Sequence, residues 1–117
     1  MFVRTDIPVA DQIVPAGHAC LEAGSRFGLP ETENYLIVLE AESQEHLREI
    51  QERLDLAGVR STMFFEPDDG KGHTALCTEP LGEENRRLFR RCHLWGSKVR
   101  RSSRSRVDDG EENIPVM

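Results

Sequence analysis

No stretch of this 117-residue chain stays apolar for the ~18 residues a membrane-crossing helix needs, so no membrane span is expected. The opening segment MFVRTDIPVADQ has no basic region followed by an apolar stretch, and no secretory signal is expected. Cysteine is scarce. Cys20, Cys77 and Cys92 form an odd set with no framework spacing, which reads as reduced thiols in a cytoplasmic protein. The pattern G-x-x-x-x-G-K-[ST] is missing, so no nucleotide phosphate loop is expected. Close ligand pairs such as C-x-x-C are missing too. His73, Cys77 and the pair Cys92-His93 offer nitrogen and sulfur, but His73 and Cys77 stand four apart on a strand, and no metal site is expected. A cysteine nucleophile is not expected either: Cys20 falls inside a helix of small residues and Cys77 in mid-strand.

What is present is enough for one modest core: 38% of residues are hydrophobic and 31% charged, at a length typical of one domain. The net charge of −6 hides an uneven distribution. Residues 1–81 carry a balance of −9, residues 82–106 one of +7, and residues 107–117 one of −4. Because screening confines Coulomb forces to roughly 8–10 Å at physiological salt, a basic segment on an acidic chain still binds phosphate locally.

MFVRT alternates as a strand does, and Pro8 turns the chain after it. Ile13, Ala16/Gly17, Cys20, Ala23/Gly24 and Phe27 recur at helical spacing, predicting a helix with an unusually small inward face that lies flat on a sheet. Pro15 is expected in or beside the first turn of that helix, where little or no helix hydrogen bond is lost. YLIVLEA (residues 35–41) is predicted as a strand covered on both faces. Ser43 caps a second helix with Leu47, Ile50, Leu54 and Ala57 inward and Gly58 as its stop. VRSTMFFE and HTALCT are strands joined by DDGKG as an antiparallel hairpin, and GEENRRLFRR is a third helix with Leu88, Phe89 and Cys92 inward, the core being closed by Trp95. The order β-α-β-α-β-β-α gives two crossovers between parallel neighbours. The expected fold is α/β: a mixed four-stranded sheet with helices on both faces, three layers in all, over residues 1–95. Residues 96–117 read as a disordered charged tail.

Three places hold polar groups that could converge: His18 in the first turns of the first helix, the loop EPDDGKGHT with Asp68, Asp69, Lys71 and Thr74, and the arginines of the third helix. Loops at strand ends beside helix N-termini are where α/β folds place their sites. His18 with a nearby acid is a general base, or else a histidine packed on the sheet. Asp68-Asp69-Gly70 sets a carboxylate at a strand end, or is a turn built from turn-forming residues. Arg86, Arg87, Arg90 and Arg91, at i, i+1, i+4 and i+5, are a phosphate-binding row or a solvated face with Glu83 and Glu84 as partners.

Taken in order, these segments resemble the type 2 peptidyl-tRNA hydrolase family over roughly residues 1–95. VRTDIPV is similar to that family's V-R-x-D-L strand and turn, AGHACLEA to Q-C-A-H-A-A, DDG to D-A-G, and TALCTEP to T-V-L-G-I-G-P. The resemblance implies a mixed four-stranded sheet between helices and hydrolysis of the carboxylic ester that joins a peptidyl or N-blocked aminoacyl group to tRNA. This is a translation-linked reaction with tRNA as partner and no cofactor. It puts His18, Asp68 and Thr74 at the reacting centre, with Arg86, Arg87, Arg90, Arg91 and Lys71 as the substrate-binding set. The lysine and glutamine that the family keeps before its histidine are Asp11 and Pro15 here, and R-T-Q is missing after D-x-G. In this the chain looks more like a divergent branch, the peptidyl-tRNA hydrolase domain-containing proteins. The alternative expectation is a catalytically degenerate member that binds RNA or a protein, and a homodimer is compatible with both.

Overall fold

A computed structural model describes residues 1–31 and 35–97. Apart from Gly96 and Ser97, the expected charged tail lies outside the described residues. Strand β1 (Phe2–Arg4) is buried along its length, and β4 (Gly72–Thr78) buries Thr74, Ala75 and Leu76 completely. Strands covered on both faces take the middle of a sheet, and these two do. The order is β2-β1-β4-β3, with β2 (Leu39–Ala41) parallel to β1 and β3 (Ser61–Glu66) antiparallel to β4. The mixed four-stranded sheet, the β3–β4 hairpin and the first parallel crossover match expectation. The second crossover does not join neighbours: β2 and β3 occupy opposite edges, because the doubly buried pair lies between them.

Phe2, Leu39, Ala41 and Leu76 point to one face and meet Leu47, Ile50 and Leu54 of helix α2 (Gln44–Leu56) and Val59 beyond it. Ser43 caps α2 by accepting from the His46 amide at 3.1 Å, and Gly58 takes the left-handed conformation (φ 79°) that ends it. Ala57, expected inward, is exposed because the chain has already left the helix there.

Val3, Ala75 and Phe64 face the other way, towards helix α1 (Ala10–Phe27). The small face was read correctly in kind but one residue out of register. Gln12, Pro15, Ala19 and Ala23 are buried, whereas Ile13 is 65% exposed. Helix approach to a sheet is limited by side-chain depth, so alanine is the inward residue and the bulky aliphatics turn out. Pro15 lies inside α1, not in its first turn. It therefore removes the N–H that would bond the Asp11 carbonyl.

Three further expectations are corrected. Of the YLIVLEA segment only Leu39–Ala41 is strand, and just before it the Ile37 carbonyl accepts from the Met1 amine at 2.8 Å. The GEENRRLFRR helix is a 3-10 segment (Glu83–Phe89) tightened by turn bonds such as Cys92 N–H to the Phe89 carbonyl at 3.0 Å. Leu88, Phe89 and Cys92 still pack on the core from it. Trp95 does not close the core. It is 42% exposed and donates its indole N–H to Gln12 Oε1 at 2.7 Å.

Reversing the small face is the direct test of this packing. Ala19→Leu is expected to destabilise the fold by about 1–3 kcal/mol through overpacking, while Ile13→Ala stays within about 0.5 kcal/mol. Urea unfolding of both variants measures the contrast.

Candidate functional site

The segment between β3 and β4 is a turn by its chemistry. Asp69 (φ 57°) and Gly70 (φ 65°) both sit at positive φ, as the central pair of a type I′ turn requires and as Asp-Gly supplies. The Lys71 amide closes it onto the Asp68 carbonyl at 3.2 Å. Gly72 follows with φ 75°, and a Cβ there would run into Gln44 Oε1, which accepts from the His73 amide at 2.8 Å.

Arg4 locks this turn to the end of β1. Its guanidinium is bidentate on Asp6, at 2.8 and 2.9 Å, and gives Nη1 to the carbonyls of Lys71 (2.5 Å) and His73 (3.0 Å). The Arg4 hydrogen bonds hold the Asp6 carboxyl below its ordinary value. Arg4 is thus spent on structure and does not offer its charge to a ligand.

The turn meets the first turns of α1 across a cleft of about 220 Å³ lined by Asp11, Val14, Pro15, Glu66, Asp68, Asp69 and Lys71. Lys71 is its cation: Nζ lies 3.2 Å from Asp69 and 3.9 Å from Asp11. The bond to Asp69 and the nearby acids raise the Lys71 pKa, keeping it charged. Asp11 therefore faces a lysine brought in by the loop, a pairing that sequence order alone did not place.

Of the three residues expected at the reacting centre, Asp68 lines the cleft. His18 stands one helical turn beyond Val14 on the same face of α1. There its exposed ring stacks on Phe64, with centroids 4.8 Å apart and planes within 5°. Thr74 is not with them. It is fully buried at the point where the β3–β4 register slips, and its Oγ1 has no hydrogen-bond partner. The bulge takes up the extra residue that the strict alternation in HTALCT did not anticipate.

The arginine set divides. Arg86 reaches Glu83 at 3.6 Å on the exposed surface. Arg87, Arg90 and Arg91 instead line a second, larger cleft of about 460 Å³ against α2, where Arg53, His46 and His93 join them. Sequence reading missed Arg53 and His46 and weighed His93 only as a metal ligand. Arg53, in the last turn of α2, is 34 positions from Arg87 and carries no local signal for the meeting.

Burial pushes the Cys77 thiol up to about 11, and burial also raises Cys92, so neither is a ready thiolate. Among the described residues, no three His, Cys, Asp or Glu side chains come together as a metal cage would require, and no helix is long and apolar enough to cross a membrane.

Comparison with protein-family models, with curated proteins and with solved structures finds no match.

Two outcomes follow. Because the folded Asp6 pKa lies below the ordinary 3.8, the stability contributed by the Arg4–Asp6 pair is complete above that value and is lost as pH falls through the lower folded one. Asp6→Asn should lower the urea midpoint at neutral pH and flatten its decline below about pH 4. Thr74→Val removes a buried, unsatisfied hydroxyl and should leave stability unchanged or raise it by up to about 1 kcal/mol. A loss of several kcal/mol in the same measurement would show that the hydroxyl has a partner.

Proposed function

We propose that the chain is a peptidyl-tRNA hydrolase-like protein that hydrolyses the ester between a peptidyl or N-blocked aminoacyl group and an RNA 3′ end. One observation carries this reading. The DDG loop that bears part of the resemblance meets the start of α1, just before AGHACLEA, in one cleft that holds Asp68 among its carboxylates and a cation, Lys71.

Ester hydrolysis requires an activated water and a counter-charge for the oxyanion. In this reading Asp68 accepts a proton from water as its oxygen attacks the ester carbonyl carbon, and Lys71 faces the oxygen that becomes negative. The bond from that carbon to the ribose oxygen then breaks, and the proton returns from Asp68 to the ribose oxygen. The products are the free acid and the RNA hydroxyl. His18, stacked beside the cleft, is a positioning surface for the acyl group or the terminal base. Its exposed ring face suits stacking. Thr74, being buried, has no contact with substrate in this scheme.

The second reading, a non-catalytic binding module, is favoured by the same burial of Thr74 and by the engagement of Lys71 with two aspartates. Deacylation of N-blocked aminoacyl-tRNA separates the two. The enzyme reading expects release above the spontaneous rate, a drop of about 10²-fold or more for Asp68→Asn, a drop for Lys71→Met, and a smaller one for His18→Ala. Release no faster than in buffer would leave the binding module. Full activity in Asp68→Asn would place the chemistry elsewhere.

A further inference from the structure

The larger cleft is lined by four arginines that come from separate elements. Arg53 projects from the last turn of α2, while Arg87, Arg90 and Arg91 project from the 3-10 segment and its end. A short antiparallel pairing fixes that wall. The Glu40 amide donates to the His93 carbonyl and the Trp95 amide to the Val38 carbonyl, both at 2.9 Å, so the segment after the 3-10 turn runs along the outer edge of β2.

None of these four arginines is within 4.0 Å of an acid among the described residues, although Arg4, Arg26, Arg60 and Arg86 all are. Two glutamates border the cleft. Glu40 lies between Leu39 and Ala41, which pack on α2, so its side chain takes the opposite face, where Oε2 accepts from the Gly96 amide at 3.0 Å. That leaves Glu42 as the acid on the cleft side.

Four guanidinium groups against the Glu42 carboxylate give this open cleft a surplus of positive charge, which matches an oxyanion ligand with repeated charges. Their spacing is informative. Arg87 and Arg90 are joined by a 3-10-type bond, and residues three apart in such a turn eclipse each other about 6 Å apart. That is comparable to the step between neighbouring phosphates of an extended strand. Leu88, half-buried, also lines the cleft and offers a base an apolar surface.

We infer that this cleft holds the phosphodiester backbone of a single RNA strand, with Arg53, Arg87, Arg90 and Arg91 as phosphate contacts. The inference deepens the hydrolase reading, since the acidic cleft at α1 repels phosphate and the strand must be held elsewhere. It also stands on its own geometry if no hydrolysis occurs.

The test uses the full chain and a labelled single-stranded RNA with a free 3′ hydroxyl, so that no ester is involved. Anisotropy is read as a function of salt. Binding is expected to weaken steeply with salt. The triple variant Arg53→Ala/Arg90→Ala/Arg91→Ala should bind at least tenfold more weakly, with the slope of log K against log salt reduced by about one per arginine removed. Arg86→Ala, outside the cleft, should bind as the unmodified protein does. These side chains are exposed, and far-UV circular dichroism checks that the triple variant is folded.

Unchanged affinity and slope in the triple variant would overturn the inference. So would equal affinity for polyglutamate of matched charge, or full displacement of the RNA by inorganic triphosphate at equal phosphate concentration. Arginine-dependent RNA binding without deacylation would defeat the hydrolase reading alone. Deacylation with arginine-independent binding would defeat this inference alone.

Discussion

A single buried guanidinium holds the candidate-site end of the sheet together. Arg4 is 8% exposed, and burying its charge is tolerable only because Asp6 and two backbone carbonyls satisfy its donors together. Those carbonyls belong to Lys71 and His73, on either side of Gly72. The bonds fix the β3–β4 turn against β1, and with it the position of Asp68 and Lys71 relative to α1. The turn geometry, the cleft and the Asp11–Lys71 pair all depend on that anchor.

The sheet separates two kinds of site. On the α1 face a narrow helix surface lets the backbone come close, and the cleft at its start is small and mostly acidic. On the α2 face a conventional aliphatic core sits under the helix, and the 3-10 segment beyond β4 lays its arginines along the rim. The proposed reaction and the proposed strand holding fall on opposite faces, and the charges suit that division: carboxylates line the α1 cleft and guanidiniums the α2 cleft.

Much of the local structure was legible. Ser43 as a cap, Gly58 as a stop, Asp69-Gly70 as a turn and the β3–β4 hairpin each follow from the stereochemistry of one or two residues. The misreadings share a cause. Ile13 was taken as inward because it is apolar, but depth of approach chose alanine. Residues 35 and 36 look like strand by composition, but β2 begins only at Leu39. Leu88, Phe89 and Cys92 do pack inward, yet from a 3-10 turn, because two adjacent apolar residues do not need an α-helical stripe.

The candidate site divides along the same line. The sequence by itself determined which groups exist and their local shape: a carboxylate on a tight turn, a histidine on a small-faced helix, a run of arginines. Backbone stereochemistry and residue charge act within a few positions and need no partner. Only the tertiary structure decided that Lys71 answers Asp11, that Thr74 is buried in a bulge out of reach, and that Arg53 joins Arg87, Arg90 and Arg91 while Arg86 does not. Each of these depends on how closely elements distant in sequence pack. That distance is set by the volumes of the side chains between them, a property of the assembled core that no single segment carries.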